Sequence, residues 1–329
     1  MDRNDRSDDD GIRFEDDPAY EDRYEDPDYS EDEFYDETED DPYDEGLRDN
    51  GRSRHQSARS RRKRMLYIQY AVIGILAVIV AVAIWQIASQ ILEYRQASQE
   101  YDNLSSLFEA IPESGEEEEA SAEESLYPAL SIDFDALREI NSEFVGILHI
   151  PALDLTYPVA QASNNTDYLT KTFEGTTNSS GCIYLDAYSS ADFIDWNTFI
   201  YGHNMKNQTM FGSLKLFLQD EDLANEDPYI YIYQEDQVLI YRIFAYYTIE
   251  VDDDVYNFFY DEDAYDAYVS DAFVHSQYAL YEDDPDIDWS ARPNLLTLST
   301  CYGSNHTHNF IVQGALVNTV YTSDTEEAE

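Results

Sequence analysis

The chain has 329 residues, with 70 Asp/Glu against 19 Lys/Arg and a formal net charge of −51. Such a field repels nucleic acid and other polyanions, which excludes a nucleic-acid role. It suits a cationic or amine-bearing partner, although a solvated acidic surface is the plainer account of most of these carboxylates.

The charge is unevenly spread. Residues 1–50 hold 24 Asp/Glu against 5 Arg and almost no aliphatic side chains. They cannot bury a core, and a disordered acidic tail is expected. Residues 51–64 reverse the sign with seven Arg/Lys, ending Arg61-Arg62-Lys63-Arg64, and complete a tail segment 1–64. Residues 65–92, including "YAVIGILAVIVAVAIWQIASQIL", carry no charge at all. That length exceeds the roughly 20 apolar residues a bilayer-spanning helix needs. A cleaved signal peptide would place a shorter apolar core close to the N-terminus, whereas here 64 residues come first. The basic block before the span predicts a cytoplasmic N-terminus. A single-pass anchor in the cell membrane is therefore expected, with everything after it extracellular.

Residues 93–127 begin as a continuation of the helix and pass into "PESGEEEEASAEES", a charged low-complexity stretch that reads as a stalk or linker. The folded domain is expected over 128–322, followed by a short acidic tail, 323–329. "SIDFDALREINSEF" has Ser131 or Asp133 as a helix cap and apolar residues Phe134, Leu137 and Ile140 at helical spacing. The pattern then turns to short β-like runs: "VGILHI", "LTYPVA", "GCIYLD", "NTFIYGH", "YIYIYQ", "QVLIYRIFAYYTI", "NLLTLSTC" and "NFIVQGALV". Their Ile, Val, Tyr and Phe content, broken by Pro, Gly, Asn or Asp, predicts a mainly β domain, an antiparallel barrel or sandwich. Between the sixth and seventh runs, Tyr265, Tyr268, Val269, Ala272 and Phe273 fall on one face of a predicted helix.

The chain has two cysteines, Cys182 and Cys301. Spacing alone leaves open a disulfide, or one buried and one reactive thiol. Cys182, inside "GCIYLD", reads as a small buried strand residue. Cys301 ends the run Leu295–Thr300 and faces a polar loop. A thiol needs a base or cation nearby to act as a nucleophile. His203 is the best candidate, because it ends another strand and precedes the polar "NMKNQT". A buried Cys and an unrelated surface His are the alternative. His149, within a strand, and His275, on the inserted helix, read as structural. His306 and His308 offer two metal ligands without a third, so no metal site is expected. The clusters Asp252–Asp254 and Asp261–Asp263 lack calcium-loop spacing and read as solvated turns. Ser299 and Thr300, beside Cys301, are candidate substrate contacts.

"TLSTC" followed by a loop and a β-run, with "YGHNM…MFGSL" upstream, resembles the sortases, cysteine transpeptidases of Gram-positive cell surfaces. The likeness runs in the family's order from "FDALREINSEFVGILHIPALDLTYPV" through "DYL", "GCIYLD" and "FIYGHNMKNQTMFGSLKLF" to "TLSTC". The helix between the sixth and seventh strands and the N-terminal anchor are similar to class B. The resemblance implies an eight-stranded barrel with an N-terminal helix, and a thioester mechanism. Cys301 would attack a threonine carbonyl in the C-terminal sorting signal of a secreted protein. His203, as imidazolium, would protonate the leaving amine. An amine of the peptidoglycan precursor would then release the product, and the chemistry needs neither metal nor organic cofactor.

One position departs from the pattern. The family carries an arginine directly before a run like "FIVQG", and here that place belongs to Asn309. Three readings compete. Asn309 supplies a neutral hydrogen bond to the oxyanion or the sorting signal. A cation from elsewhere fills the gap, from His306, His308, Arg292, Arg242, Lys206 or Arg138. Or the domain is a degenerate sortase that binds sorting peptides with little or no turnover.

Overall fold

The computed structural model describes residues 50–111, 127–220, 222–251, 254–278, 284–302 and 307–322. The expected acidic tail up to residue 49, the stretch "PESGEEEEASAEES", Asp252 and Asp253, His306 and the tail from 323 onward lie outside the described residues. Helix α1 runs Asn50–Ser105, and its apolar part is long enough to cross a membrane. Large apolar side chains from Met65 through Leu92 are exposed along it, as a lipid-facing helix requires.

The end of α1 departs from expectation. Residues 93–127 read as a continuation of the helix passing into a stalk; the helix does continue, to Ser105, but residues 93–111 are docked on the folded domain. Ala97, Tyr101 and Leu104, at helical spacing, are buried. Two carboxylates of this segment bind loop 174–179. Glu93 accepts from Ser179 Oγ at 2.8 Å, and Glu100 accepts from the Glu174 N–H at 3.1 Å. Short strands β1, Phe108–Ala110, and β2, Leu130–Ile132, pair antiparallel beyond the helix. Three-residue strands are too short for alternation to reveal.

Helix α2, Phe134–Ile140, starts where the cap predicts, with Asp133 Oδ1 accepting from the Ala136 N–H at 2.9 Å. Eight strands follow: β3 Phe144–Ile150, β4 Leu155–Ala160, β5 Ile183–Leu185, β6 Asn197–Tyr201, β7 Tyr229–Tyr233, β8 Gln237–Glu250, β9 Leu295–Tyr302 and β10 His308–Tyr321. They close a barrel in the order β10-β8-β7-β3-β4-β5-β6-β9, which returns to β10. Two pairings are parallel, β4 with β5 and β6 with β9. A one-turn helix, α3 (Leu223–Glu226), precedes β7, and α4, Glu262–His275, lies between the sixth and seventh barrel strands.

Two cores result from the pleat, because alternate residues of a strand face opposite sides of the sheet. Leu296, Leu298, Phe310 and Val312 point into the barrel. Leu295, Ile311 and Ala315 point outward, under α4, whose Tyr265, Val269 and Ala272 are buried against them. Beside them a buried polar network joins Asn197, Tyr268, Thr297 and Gln313. The outer face thus lies under α4 at one end, and its other end is where the candidate site lies.

Candidate active site

Three strands bring their outward residues to that end. On β9 these are Thr297, Ser299 and Cys301, and on β10 they are Asn309, Ile311 and Gln313, paired in register with Cys301 opposite Asn309. On β6, Phe199 and Tyr201 lead by the same alternation to His203. The parallel register sets Tyr201 beside Ser299. His203 follows two residues beyond the end of β6 and borders the same cavity as Cys301. Thr300 Oγ1 donates to the Gly202 carbonyl at 2.7 Å and holds the end of β6 against β9.

A cavity of about 310 Å³ opens here, bordered by Cys301, His203, Asn309, Ser299, Tyr256 and Leu169 among others. The residues singled out in the sequence therefore meet at one place, although Thr300 spends its hydroxyl on the strand rather than offering it to a ligand. His203 Nε2 lies 2.8 Å from the Leu169 carbonyl oxygen. A carbonyl only accepts, so Nε2 carries the hydrogen and Nδ1 is the nitrogen left for proton exchange. Gly181 makes room for this imidazole. It sits at φ +61°, and a Cβ there would come within 2.9 Å of His203 Cδ2 and 2.5 Å of the Tyr168 carbonyl oxygen.

Cys301 is half-buried and not in a disulfide. Burial pushes its thiol above the ordinary thiol range, opposed by its own backbone hydrogen bond. No lysine or arginine is among the described residues that line the cavity. The three arginines nominated from the sequence are engaged elsewhere. Arg292 holds Asp266 and Glu262, Arg242 holds Asp284, and Arg138 holds Glu235. Lys206 is exposed and borders no part of the cavity. His308 is exposed, with Nδ1 2.8 Å from Thr307 Oγ1.

Asn309 instead has a partner that sequence reasoning missed. Its Nδ2 donates to the Tyr256 hydroxyl at 2.7 Å, and that hydroxyl is 2.6 Å from Ser299 Oγ. Asn204 was also missed. Its Nδ2 donates to the Cys301 carbonyl at 2.8 Å, while its Oδ1 accepts from Lys215 at 3.1 Å. A "YGHN" turn beside a strand-end cysteine gives a hint of Asn204. Nothing local marks Tyr256, which lies in the acidic, aromatic stretch after β8. Cys182 is buried and free, as its strand pattern suggests. His149 is 2.8 Å from Thr156 Oγ1, and the exposed His275 is paired with Asp271 on its own helix. Among the described residues no metal-ligand cluster occurs.

A family model for the sortase domain matches residues 148–317. Sortase B of Listeria monocytogenes is 27% identical over 186 residues, covering 55% of this chain and 72% of that protein. Sortase B of Staphylococcus aureus is 24% identical over 227 residues, 69% of this chain and 86% of that protein. Among solved structures, Clostridium perfringens sortase B superposes with a TM-score of 0.51 at 26% identity, over 56% of this chain and 99% of that one. Bacillus anthracis sortase B in complex with AAEK1 gives 0.53 at 25% identity, over 69% and 99%.

Proposed function

Since the chain belongs to the sortase family of cysteine transpeptidases, and its relatives and structural neighbours are class B, we propose that it is a membrane-anchored transpeptidase with Cys301 as nucleophile and His203 as general acid and base. The observation that carries this reading is the cavity that Cys301, near the end of β9, shares with His203, two residues beyond the end of β6. The Cys301 thiol passes its proton to His203 Nδ1, and the thiolate attacks a threonine carbonyl in the sorting signal of a secreted protein. The new S–C bond pushes the carbonyl pair onto oxygen. As that pair returns, the C–N bond breaks and His203 protonates the leaving amine. An amine of the peptidoglycan precursor then resolves the thioester.

Two features shape how well this runs. Burial raises the thiol and no lysine or arginine among the described residues lines the cavity to lower it, so His203 takes the proton as the thiol attacks. Asn309 meets the oxyanion as a neutral donor, worth about 0.5–1.5 kcal/mol against about 1.5–3 for a charged one. The resulting enzyme is slow rather than inert. The α1 span holds it in the membrane with its N-terminus in the cytoplasm, as the basic residues before the span favour.

The neutral Asn309 also favours a second reading, a sortase domain that binds sorting peptides without turnover. Mass spectrometry of the protein incubated with a library of threonine-containing peptides separates the two. A covalent acyl adduct on Cys301 is expected. Binding of peptides with no adduct from any of them sinks the enzyme reading in favour of the second.

A further inference from the structure

Cys301 has two polar neighbours on its own face of the sheet. Asn309 lies directly across on β10, and Ser299 lies two residues back on β9. Side chains directly opposite in such a pair have Cβ atoms roughly 4.5–5.5 Å apart. Both neighbours reach for one atom, the Tyr256 hydroxyl oxygen, at 2.7 and 2.6 Å. The phenol is brought there by the short helical turn Asp254–Tyr256 after β8. Its ring leans on Phe199 and Tyr201 of β6, with centroids 6.1 and 6.2 Å away. Tyr256 thus joins β9 and β10 through its hydroxyl and meets β6 through its ring, and it borders the same cavity as the thiol.

We propose that Tyr256 is a catalytic residue of this site, donating its O–H to the oxyanion that forms when Cys301 is acylated. The assignment rests on the reading of Cys301 as the nucleophile. A phenol oxygen has two lone pairs and one proton. Asn309 Nδ2–H, which can only donate, fills one lone pair. Ser299 has a rotatable hydroxyl and can donate into the other, whereupon the Tyr256 proton turns from Ser299 to the acyl oxygen. Two donors feeding one hydroxyl polarise it toward a stronger outgoing bond. A hydrogen bond from a hydroxyl to an anion is roughly twice as strong as one between neutral groups. No proton leaves Tyr256 in the step. The carbonyl pair moves onto oxygen as the S–C bond forms and returns as the bond to the leaving group breaks, with the phenol O–H intact throughout. Tyr256, with Asn309 fixing it and offering the second Nδ2 hydrogen, thereby does with neutral groups what a cation would do from the same place.

The test needs no knowledge of the sorting motif. On the full-length chain in detergent, acetylation of Cys301 by p-nitrophenyl acetate is read as a nitrophenolate burst, and alkylation by iodoacetamide as a control without an oxyanion. Tyr256→Phe removes only the hydroxyl. It is expected to slow acetylation by at least about 10-fold, toward the 10²-fold typical of a lost oxyanion donor, while alkylation stays as in the unsubstituted protein. Replacing Tyr256 by a fluorotyrosine with a more acidic phenol keeps the ring and is expected to speed acetylation, which a purely structural tyrosine would not do. Equal acetylation rates in the unsubstituted, Phe and fluorotyrosine proteins overturn this assignment alone. So does an equal loss of acetylation and alkylation in Tyr256→Phe together with a rate indifferent to fluorination. No acetylation of Cys301 in the unsubstituted protein overturns the nucleophile reading and this assignment with it.

Discussion

The two cysteines occupy comparable places and have opposite surroundings. Cys182 directly precedes β5, beneath the docked end of α1, and is fully buried. Cys301 lies near the end of β9 and opens on a cavity. Burial is the leading cause of a raised thiol in both, and it pushes Cys182 up to about 12. Desolvation therefore does not separate an inert thiol from a candidate nucleophile. What separates them is the second neighbour. Around Cys182, Tyr101 of α1 closes the site by donating to the Gly181 carbonyl at 3.2 Å. Around Cys301, the next strand supplies an imidazole and an open volume.

The largest expected effect breaks this symmetry outright. Cys301→Ala is expected to abolish acyl-adduct formation, whereas Cys182→Ala leaves it at the level of the unsubstituted protein. Iodoacetamide followed by peptide mapping should label Cys301 alone in the native protein and both thiols after denaturation. Labelling of native Cys182 would mean that the α1 seal opens readily.

A smaller effect tests what the missing cation costs. Asn309→Arg replaces a neutral donor by a charged one, a gain of about 1–1.5 kcal/mol, or roughly 10-fold in acylation rate. Single-turnover kinetics should show this rise. An unchanged or lower rate would mean that the neutral cluster around Tyr256 is already matched to the oxyanion.

A third effect belongs to the sealed thiol and is read in stability. A Cys182 held up to about 12 keeps its proton in the folded chain, while an unfolded thiol loses it above about 8.5. The unfolded state then binds fewer protons, so stability is full below about pH 8.5 and declines as pH rises toward 12. The slope is on the order of 1.4 kcal/mol per pH unit for this one group. Urea midpoints between about pH 8.5 and 10 should fall more steeply for the unsubstituted protein than for Cys182→Ala. Parallel slopes would show that Cys182 ionises as freely in the folded chain as in the unfolded one.

The barrel was legible because its strands are runs of β-branched and aromatic residues broken by turn formers, and α4 because Tyr265, Val269 and Ala272 recur at helical spacing. Cys301 and His203 were legible as polar ends of such runs. Tyr256 was not, since its importance comes from bonds to Ser299 and Asn309, more than forty residues away in sequence. The docking of residues 93–111 was hidden for a related reason. Glu93 and Glu100 look like solvated charges until loop 174–179 supplies the donors. Composition reports what a side chain is, and only long-range pairing decides what it meets.

The parallel seam between β6 and β9 also bears on how the molecule comes to life. Thr300 and Gly202, which fasten it, are 98 residues apart in sequence. Contacts of such separation are slow to form because a long loop must be closed before they repay it. Until the seam closes, the imidazole and the thiol ride on separate pieces of chain. His203-assisted acyl transfer at Cys301 should therefore emerge only when the barrel closes, which makes the appearance of that activity during refolding a clock for barrel closure.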